Sequence, residues 1–267
     1  MGGGTSVSGL HLLSATRVRH WLKGGSSSPV VVDTPSGLFV VKLRGAGQGV
    51  TALVAEIIVA ELAEQIGLPV PERALLEIPP ELPSDNENDE LLQLLGLSVG
   101  LNLGLRFLVG ASDPRPEELR SIEDGFVARV LWLDGLVMNI DRTPSNPNVL
   151  LWKRQPWLID HGAALPFAYQ WSAVQEESPR EPTDYRGHVF ASRVSLLGER
   201  DAAFAQLLSR AQLRAAVAKV PDAFLRISGP DPDPERSREA YAAFLWKRLK
   251  APRPFLAQEP PGGQRSK

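Results

Sequence analysis

Apolar residues in the first third of the chain come in short runs, broken by glycine, proline and serine. "TRVRHWL", "PVVVDT" and "GLFVVKL" read as three strands, because β-branched and aromatic side chains dominate each run. The turns between them, "KGGSSS" and "TPSG", hold residues that tolerate tight backbone angles. "RGAGQG" then leads into a different pattern. Leu53, Ile57, Ala60 and Leu62 recur near helical spacing, which predicts a helix of about sixteen residues from Val50. "GLPVP" stops it. "ERALLEI" reads as a fourth strand, "PPELPSDNENDE" as an exposed acidic loop, and "LSVGLNLGLRFLV" as containing a fifth strand. Residues 1–14, opening "MGGGTSVSG", read as poorly ordered.

From about Ser121 the period changes. "IEDGFVARVLWLDGLVM" is apolar enough to form the buried axis of a second lobe. "NVLLW" and "PWLID" read as two short strands after it. "RDAAFAQLLSRAQLRAAVAKV" and "DPERSREAYAAFLWKRL" are amphipathic and close the lobe, and "APRPFLAQEPPGGQRSK" reads as a disordered tail. No internal repeat is visible. The expected class is α+β in two lobes. An N-lobe of antiparallel sheet with one long helix spans 15–110, and a mainly helical C-lobe spans 111–250. Residues 1–14 and 251–267 flank them as flexible ends.

Composition narrows the chemistry. The 267 residues contain no cysteine, which removes disulfides, thiolate catalysis and Cys-ligated zinc. The four histidines, at 11, 20, 161 and 188, show no metal-ligand spacing. Net charge is −2, so no global field implies nucleic acid or an anionic membrane, and any phosphate binding must be local. The N-terminus has no basic-then-apolar secretory pattern. The most apolar stretch carries Glu56, Glu61 and Glu64, so no membrane span is expected and a cytoplasmic protein is the default.

One stretch is too polar for its place. "NIDRTPSNPNVLLWKRQPWLIDHG" sets Asp141 and Asn146 after a buried helix and returns Asp160 after a hairpin. Such side chains gather at a cleft rim, because they cannot be buried unpaired. Taken alone, Asp141 and Asn146 are turn and helix caps. The order Asp-x4-Asn, then an Asp after a strand, is that of the protein-kinase-like superfamily. A carboxylate at the acceptor hydroxyl and oxygen ligands for Mg²⁺ are what phosphoryl transfer needs. Upstream, Lys42 stands mid-strand, and Glu56 follows fourteen residues later on the helix, able to pair with it. "KGGSSSP" could cover phosphates with backbone N–H groups.

These pieces, "FVVKL", "AEIIVAELAEQIGLPVP", "DGLVMNIDRTPSN" and "WLIDHG", resemble the HipA-like kinases over roughly residues 16–200. More remotely they resemble phosphoinositide-3/4-kinase-type catalytic cores, whose Asp-Arg-x-x-x-Asn form "DRTPSN" matches. The resemblance implies a two-lobed protein-kinase-like fold with ATP and Mg²⁺ as cofactors. It implies Asp141 as the catalytic Asp, Asn146 and Asp160 as metal ligands, and Lys42 on the phosphates, held by Glu56. It implies Gly24, Gly25, Ser26, Ser27 and Ser28 as the phosphate-covering loop, with backbone near Leu105–Leu108, Phe107 included, facing the adenine. It also raises inhibition by phosphate on Ser26, Ser27 or Ser28; the plainer reading is a flexible turn.

There are departures. The Gly-rich turn is not G-x-G-x-x-G, His161-Gly162 replaces Phe-Gly, and Ile140 stands where a His would precede the catalytic Asp. The extra N-terminal subdomain of HipA toxins has no counterpart here, so a toxin role is not implied. His161 is expected to brace its loop through ring hydrogen bonds. Arg142 either neutralises the catalytic loop or is exposed. Trp132, Trp152 and Trp157 read as packing residues. "GAGQG" could be a second phosphate cradle, though a flexible connection is the plainer reading.

The expected activity is ATP- and Mg²⁺-dependent transfer to a hydroxyl, on protein Ser or Thr. The alternatives are a lipid or small-molecule kinase, or a nucleotide-binding regulatory pseudokinase. The expected partners are a protein or small-molecule acceptor and an antitoxin-like regulator.

Overall fold

The structure is a computed structural model and describes residues 6–22, 28–85 and 88–256. Its first half is a seven-stranded sheet with a helix on each face. In chain order the strands are β1 (Ser6–Val7), β2 (Leu10–Ser14), β3 (Arg17–Trp21), β4 (Val30–Thr34) and β5 (Gly37–Lys42). Helix α1 (Gly49–Gln65), strand β6 (Arg73–Ile78), helix α2 (Asp89–Leu97) and strand β7 (Gly100–Arg106) follow. The spatial order is β1-β2-β6-β7-β5-β4-β3. All neighbours are antiparallel except β2 and β6, which run parallel.

Two expectations change here. Leu10–Ser14 is a strand in register with Ala74–Glu77, so the stretch 1–14 is not poorly ordered throughout. The lobe also has a second helix, α2, which takes in Asp89 and Glu90, the last two residues of the stretch expected as an acidic loop. Asn88 starts it, its side chain accepting from the N–H groups of Glu90 and Leu91.

The period-2 alternation of the strands explains the layers. Leu75, Leu103 and Leu105 face α1. Phe39, Val41, Ala74, Leu76 and Ile78 face the other way, where Leu91 and Leu95 of α2 cover them. Gly104 is needed on that side, because a Cβ there would lie 2.3 Å from Leu76 Cδ2. Helix α1 is buried from Val50 to Ala63 on nearly every side. It has the sheet on one flank and helices α6 and α7 of the second lobe on the other, so it carries no polar face.

The second lobe begins with α3 (Pro116–Ser121) and α4 (Asp124–Val137), followed by the hairpin β8 (Val149–Trp152) and β9 (Gln155–Leu158). Short 3₁₀ turns occupy much of 166–193, and α5 (Leu196–Gln206), α6 (Arg210–Ala218), α7 (Asp222–Ser228) and α8 (Pro234–Leu249) complete it. The run "RDAAFAQLLSRAQLRAAVAKV" is thus split between α5 and α6. Ser209 makes the break, forming a capping box with Gln212.

Helix α4 is the axis, with Trp132 fully buried. Residues 251–256 of the expected tail pack on the lobe, Phe255 standing edge-on to Trp132 with ring centroids 5.5 Å apart. Gly135 lets this happen, since a Cβ there would meet the Tyr185 hydroxyl at 2.1 Å. Arg248 of α8 is buried with no carboxylate partner among the described residues. Its Nη2 donates to Gly135 O (2.7 Å) and Thr183 Oγ1 (2.9 Å), its Nε to Leu136 O (3.0 Å), and its Nη1 to Glu181 O (2.8 Å). It satisfies carbonyls at the end of α4 that the helix itself leaves without donors. Burial lowers its pKa to about 10.

Candidate active site

Lys42 ends β5, whose pairing with β7 sets it opposite Leu103. Its Nζ donates to Glu56 Oε1 on α1 and to Asp160 Oδ1 at 2.5 Å. The same Glu56 oxygen accepts the backbone N–H of His161 at 2.8 Å. One carboxylate therefore holds both the lysine and the loop that carries Asp160. Lys42 is 6% and Glu56 1% exposed, so these charges must satisfy one another. Burial works to lower the Lys42 pKa, but Glu56 and Asp160 together outweigh it and the net shift is upward. Burial raises the Glu56 pKa, and Lys42 beside it only partly offsets this. For the shallower Asp160, Lys42 overcomes burial and the pKa falls. Asp160 is thus the more firmly ionised of the two. Its backbone sits in the left-handed region, φ 54°, a conformation that costs a non-glycine residue energy and clusters at functional sites.

The loop after α4 is tied to the Asp160 segment by Ile159, whose N–H donates to Asn148 O at 3.1 Å. Met138 closes the helix in the left-handed conformation, φ 58°. Asn139 then ties the loop down, its Nδ2 donating to Asp134 Oδ1 (3.0 Å) and its Oδ1 accepting the N–H of Asp141 (3.1 Å). Thr143-Pro144-Ser145-Asn146 forms a tight turn, with Asn146 N–H bonded to Thr143 O at 3.1 Å. The turn brings the Asn146 amide back onto Asp141, Nδ2 to Oδ2 at 2.9 Å, and Asn148 Nδ2 reaches the same oxygen at 3.2 Å. Asp141 is thereby aimed by two amides. Asn146 Oδ1 and Asp141 Oδ1 have no bond among the described residues.

Asp134 and His188, not singled out in the sequence, support this loop together with Arg142. Asp134, wholly buried on α4, accepts from Arg142 Nε (2.6 Å), Asn139 Nδ2 (3.0 Å) and His188 Nε2 (3.0 Å). His188 Nδ1 accepts the N–H of Phe190, which leaves the ring proton on Nε2. Arg142 also donates to Asn148 O (2.6 Å), and its own carbonyl accepts from Val189 (2.9 Å). Arg142 is fully buried, which decides between the two readings of it. Burial opposes ionisation of Asp134, but Arg142 and His188 prevail and its pKa falls well below the carboxylate range. The signal was present in the sequence: an Asp inside "LWLDGLVM" is costly unless something pairs with it.

His161 departs from expectation. Both ring nitrogens are buried without a hydrogen-bond partner among the described residues, so it is the backbone of His161, not the ring, that braces the loop. Burial, with Arg142 and Lys42 nearby, pushes its pKa down to about 3, and the ring is neutral.

A cavity of about 310 Å³ opens beside Lys42 and Asp160. Val40, Leu105, Phe107, Leu108, Leu150 and Ile159 give it apolar walls. Gly24, Gly25, Ser26 and Ser27 lie outside the described residues. Ser28 is described, with φ 37°, and Leu22 and Pro29 on either side of the loop both line the cavity. Leu22 N–H bonds Pro29 O at 3.0 Å and closes the loop's neck. In "GAGQG" the N–H groups of Gly45, Ala46 and Gly49 are spent on Ser98 Oγ, Leu43 O and Ala46 O. Trp152 and Trp157 pack edge to face in the hairpin, 5.1 Å between centroids.

Residues 16–233 match the model of the HipA-like kinase family. The chain belongs to that family. It is a kinase, a phosphotransferase, with the two-lobed kinase-like fold. Among solved structures it resembles a crystal structure of the Helicobacter pylori proinflammatory kinase CtkA, with a TM-score of 0.52 at 11% identity. The likeness covers 87% of this chain and 92% of that one, and at such identity it is one of fold. No curated protein matches the kinase in sequence. None of its described helices is long and apolar enough to cross a membrane.

Proposed function

We propose that this kinase transfers the γ-phosphoryl group of ATP, with Mg²⁺, to the hydroxyl of a protein Ser or Thr. The observation that carries the reading is the Lys42–Glu56–Asp160 cluster beside an apolar cavity, with the Asp160 segment bonded through Ile159 to Asn148, one of the two amides that aim Asp141. The apolar walls suit a purine ring. Leu108, one of them, has a backbone N–H without a partner among the described residues, which a ring nitrogen can accept. Lys42, held by Glu56, supplies the fixed positive charge that phosphates need.

The donor set fits Mg²⁺. No group of three His, Cys, Asp or Glu suits a metal among the described residues, but Mg²⁺ commonly takes one or two protein oxygens and completes its shell with phosphate and water. Asp160 offers an ionised carboxylate, and Asn146 an amide oxygen left free because its nitrogen is spent on Asp141. Bound there, the ion would neutralise charge on the phosphates. Asp141 Oδ2 is held by two amides, which leaves Oδ1 to accept the acceptor's proton and orient its oxygen. Lys42, Asp141, Asn146 and Asp160 together support turnover over a regulatory role without it. The near-neutral net charge favours a protein acceptor over a membrane lipid.

The test is incubation with γ-labelled ATP, Mg²⁺ and a cell lysate, with Asp141→Ala as control. Label on Ser or Thr of a protein band in the native reaction alone is the expected result. Label on a lipid or metabolite would overturn the acceptor assignment, and no label at all with intact ATP would overturn the turnover.

A further inference from the structure

A second, smaller cavity lies against the catalytic loop. It encloses about 240 Å³ between Pro116, Leu119 and Arg120 of α3, Pro144 of the loop, and Val189, Phe190, Ser192 and Arg193 of the following segment. Small-molecule sites usually exceed about 300 Å³, so this one suits a side chain or two. Its walls are tied to the chemistry. Val189 N–H is bonded to the carbonyl of Arg142, the residue after Asp141, and Pro144 stands three positions from Asp141. Three extended residues span at most about 11 Å, so an occupant would sit within roughly three residues of the acceptor hydroxyl.

The charged residues that line it are both arginines. Arg193 is committed, donating to Ile122 O at 2.7 Å and pairing with Asp124. Glu117 and Glu118 on α3 are both engaged by Arg115. Arg120 is exposed and makes no ion pair or hydrogen bond with any described residue. The cleft joins an apolar floor, Leu119 and Phe190, to Arg120 at the rim, whose side chain has no partner among the described residues.

We propose that this cleft holds the acceptor polypeptide, and that it selects an apolar side chain next to an Asp or Glu within about three residues of the modified Ser or Thr. The apolar side chain enters between Leu119, Pro144 and Phe190, and the carboxylate meets Arg120. The inference rests on the phosphoryl-transfer reading and adds the acceptor's class to it.

The test uses the full chain and fluorescein-labelled dodecapeptides, each with one Ser and a Leu-Asp pair placed at different distances to either side. A matched set carries Leu-Lys. Anisotropy measures binding, and γ-labelled Mg·ATP measures transfer in parallel. At the best spacing the Leu-Asp peptide should bind about tenfold tighter than its Leu-Lys partner. Arg120→Glu, at an exposed position outside the catalytic machinery, should reverse that order and leave ATP affinity unchanged. Equal affinity for both sets, no binding of either, or an order that survives Arg120→Glu would overturn the proposal. Peptides bound in the expected order but never labelled would leave the cleft supported and strike the transfer reading. Labelling without the order would strike the cleft alone.

Discussion

Lys42 and Asp160 are 118 positions apart in the chain, yet Nζ of one lies 2.5 Å from Oδ1 of the other. The contact joins the end of a strand in the first lobe to the loop after the hairpin in the second, and Glu56 binds both. The three side chains form one electrostatic unit. Lys42→Met and Glu56→Gln should each weaken Mg·ATP binding. Their double mutant should fall short of the sum by about 0.5–3 kcal/mol, as residues in one network do. Calorimetric titration of the four proteins measures this, and strict additivity would mean that the pair does not act together on the nucleotide.

Asp141 and Asp160 should separate in function. Asp141 is oriented toward an acceptor, so Asp141→Ala should lower turnover by about 10²–10⁴-fold while ATP binds nearly as before. Asp160→Ala should instead weaken ATP binding in Mg²⁺ more than in EDTA. Equal losses from both variants in both assays would remove the division of roles.

Asp134 is predicted to matter for stability before catalysis. Asp134→Ala strands the fully buried Arg142 without its carboxylate, a change that costs about 3–5 kcal/mol in urea unfolding. Asp134→Leu combined with Arg142→Met removes both charges and should recover part of that loss. A double variant as unstable as the sum of its parts would show that the two contribute independently.

The neutral, buried His161 gives the fold a pH dependence of known sign. The unfolded chain takes a proton near the ordinary value of 6.5, whereas the folded protein refuses it until about 3. Stability contributed by this site is therefore complete above 6.5 and drains away as pH falls toward 3, by up to about 1.4 kcal/mol per pH unit. His161→Phe should flatten the stability profile between pH 6 and 4 relative to the native chain. Parallel profiles in guanidinium titrations would show that His161 takes no part.

The parts of this protein that were legible from sequence share a reason. Lys42, Asp141, Asn146 and Asp160 are polar residues beside strong apolar periodicity, so the local pattern itself marks them. What was missed depends on distant partners. Leu10–Ser14 becomes a strand only because β6 lies alongside, and a glycine-rich opening hides it. Helix α2 begins within an acidic run, capped by Asn88, and only the apolar side chains after it mark the helix. His188 becomes a support only when Asp134, 54 positions upstream, is brought 3.0 Å away. The His161 ring looked like a bracing group because its type forms hydrogen bonds readily; burial among cations, invisible locally, left it none.

The buried Arg248 has a practical consequence. The family likeness stops at residue 233, one position before α8 begins, yet this arginine from α8 fastens the end of the axial helix to the segment at 181–183. Recognisable ancestry and mechanical completeness therefore have different borders in this protein. A chain trimmed to the recognisable portion would keep every residue assigned to catalysis and lose the rivet that keeps its lower half closed.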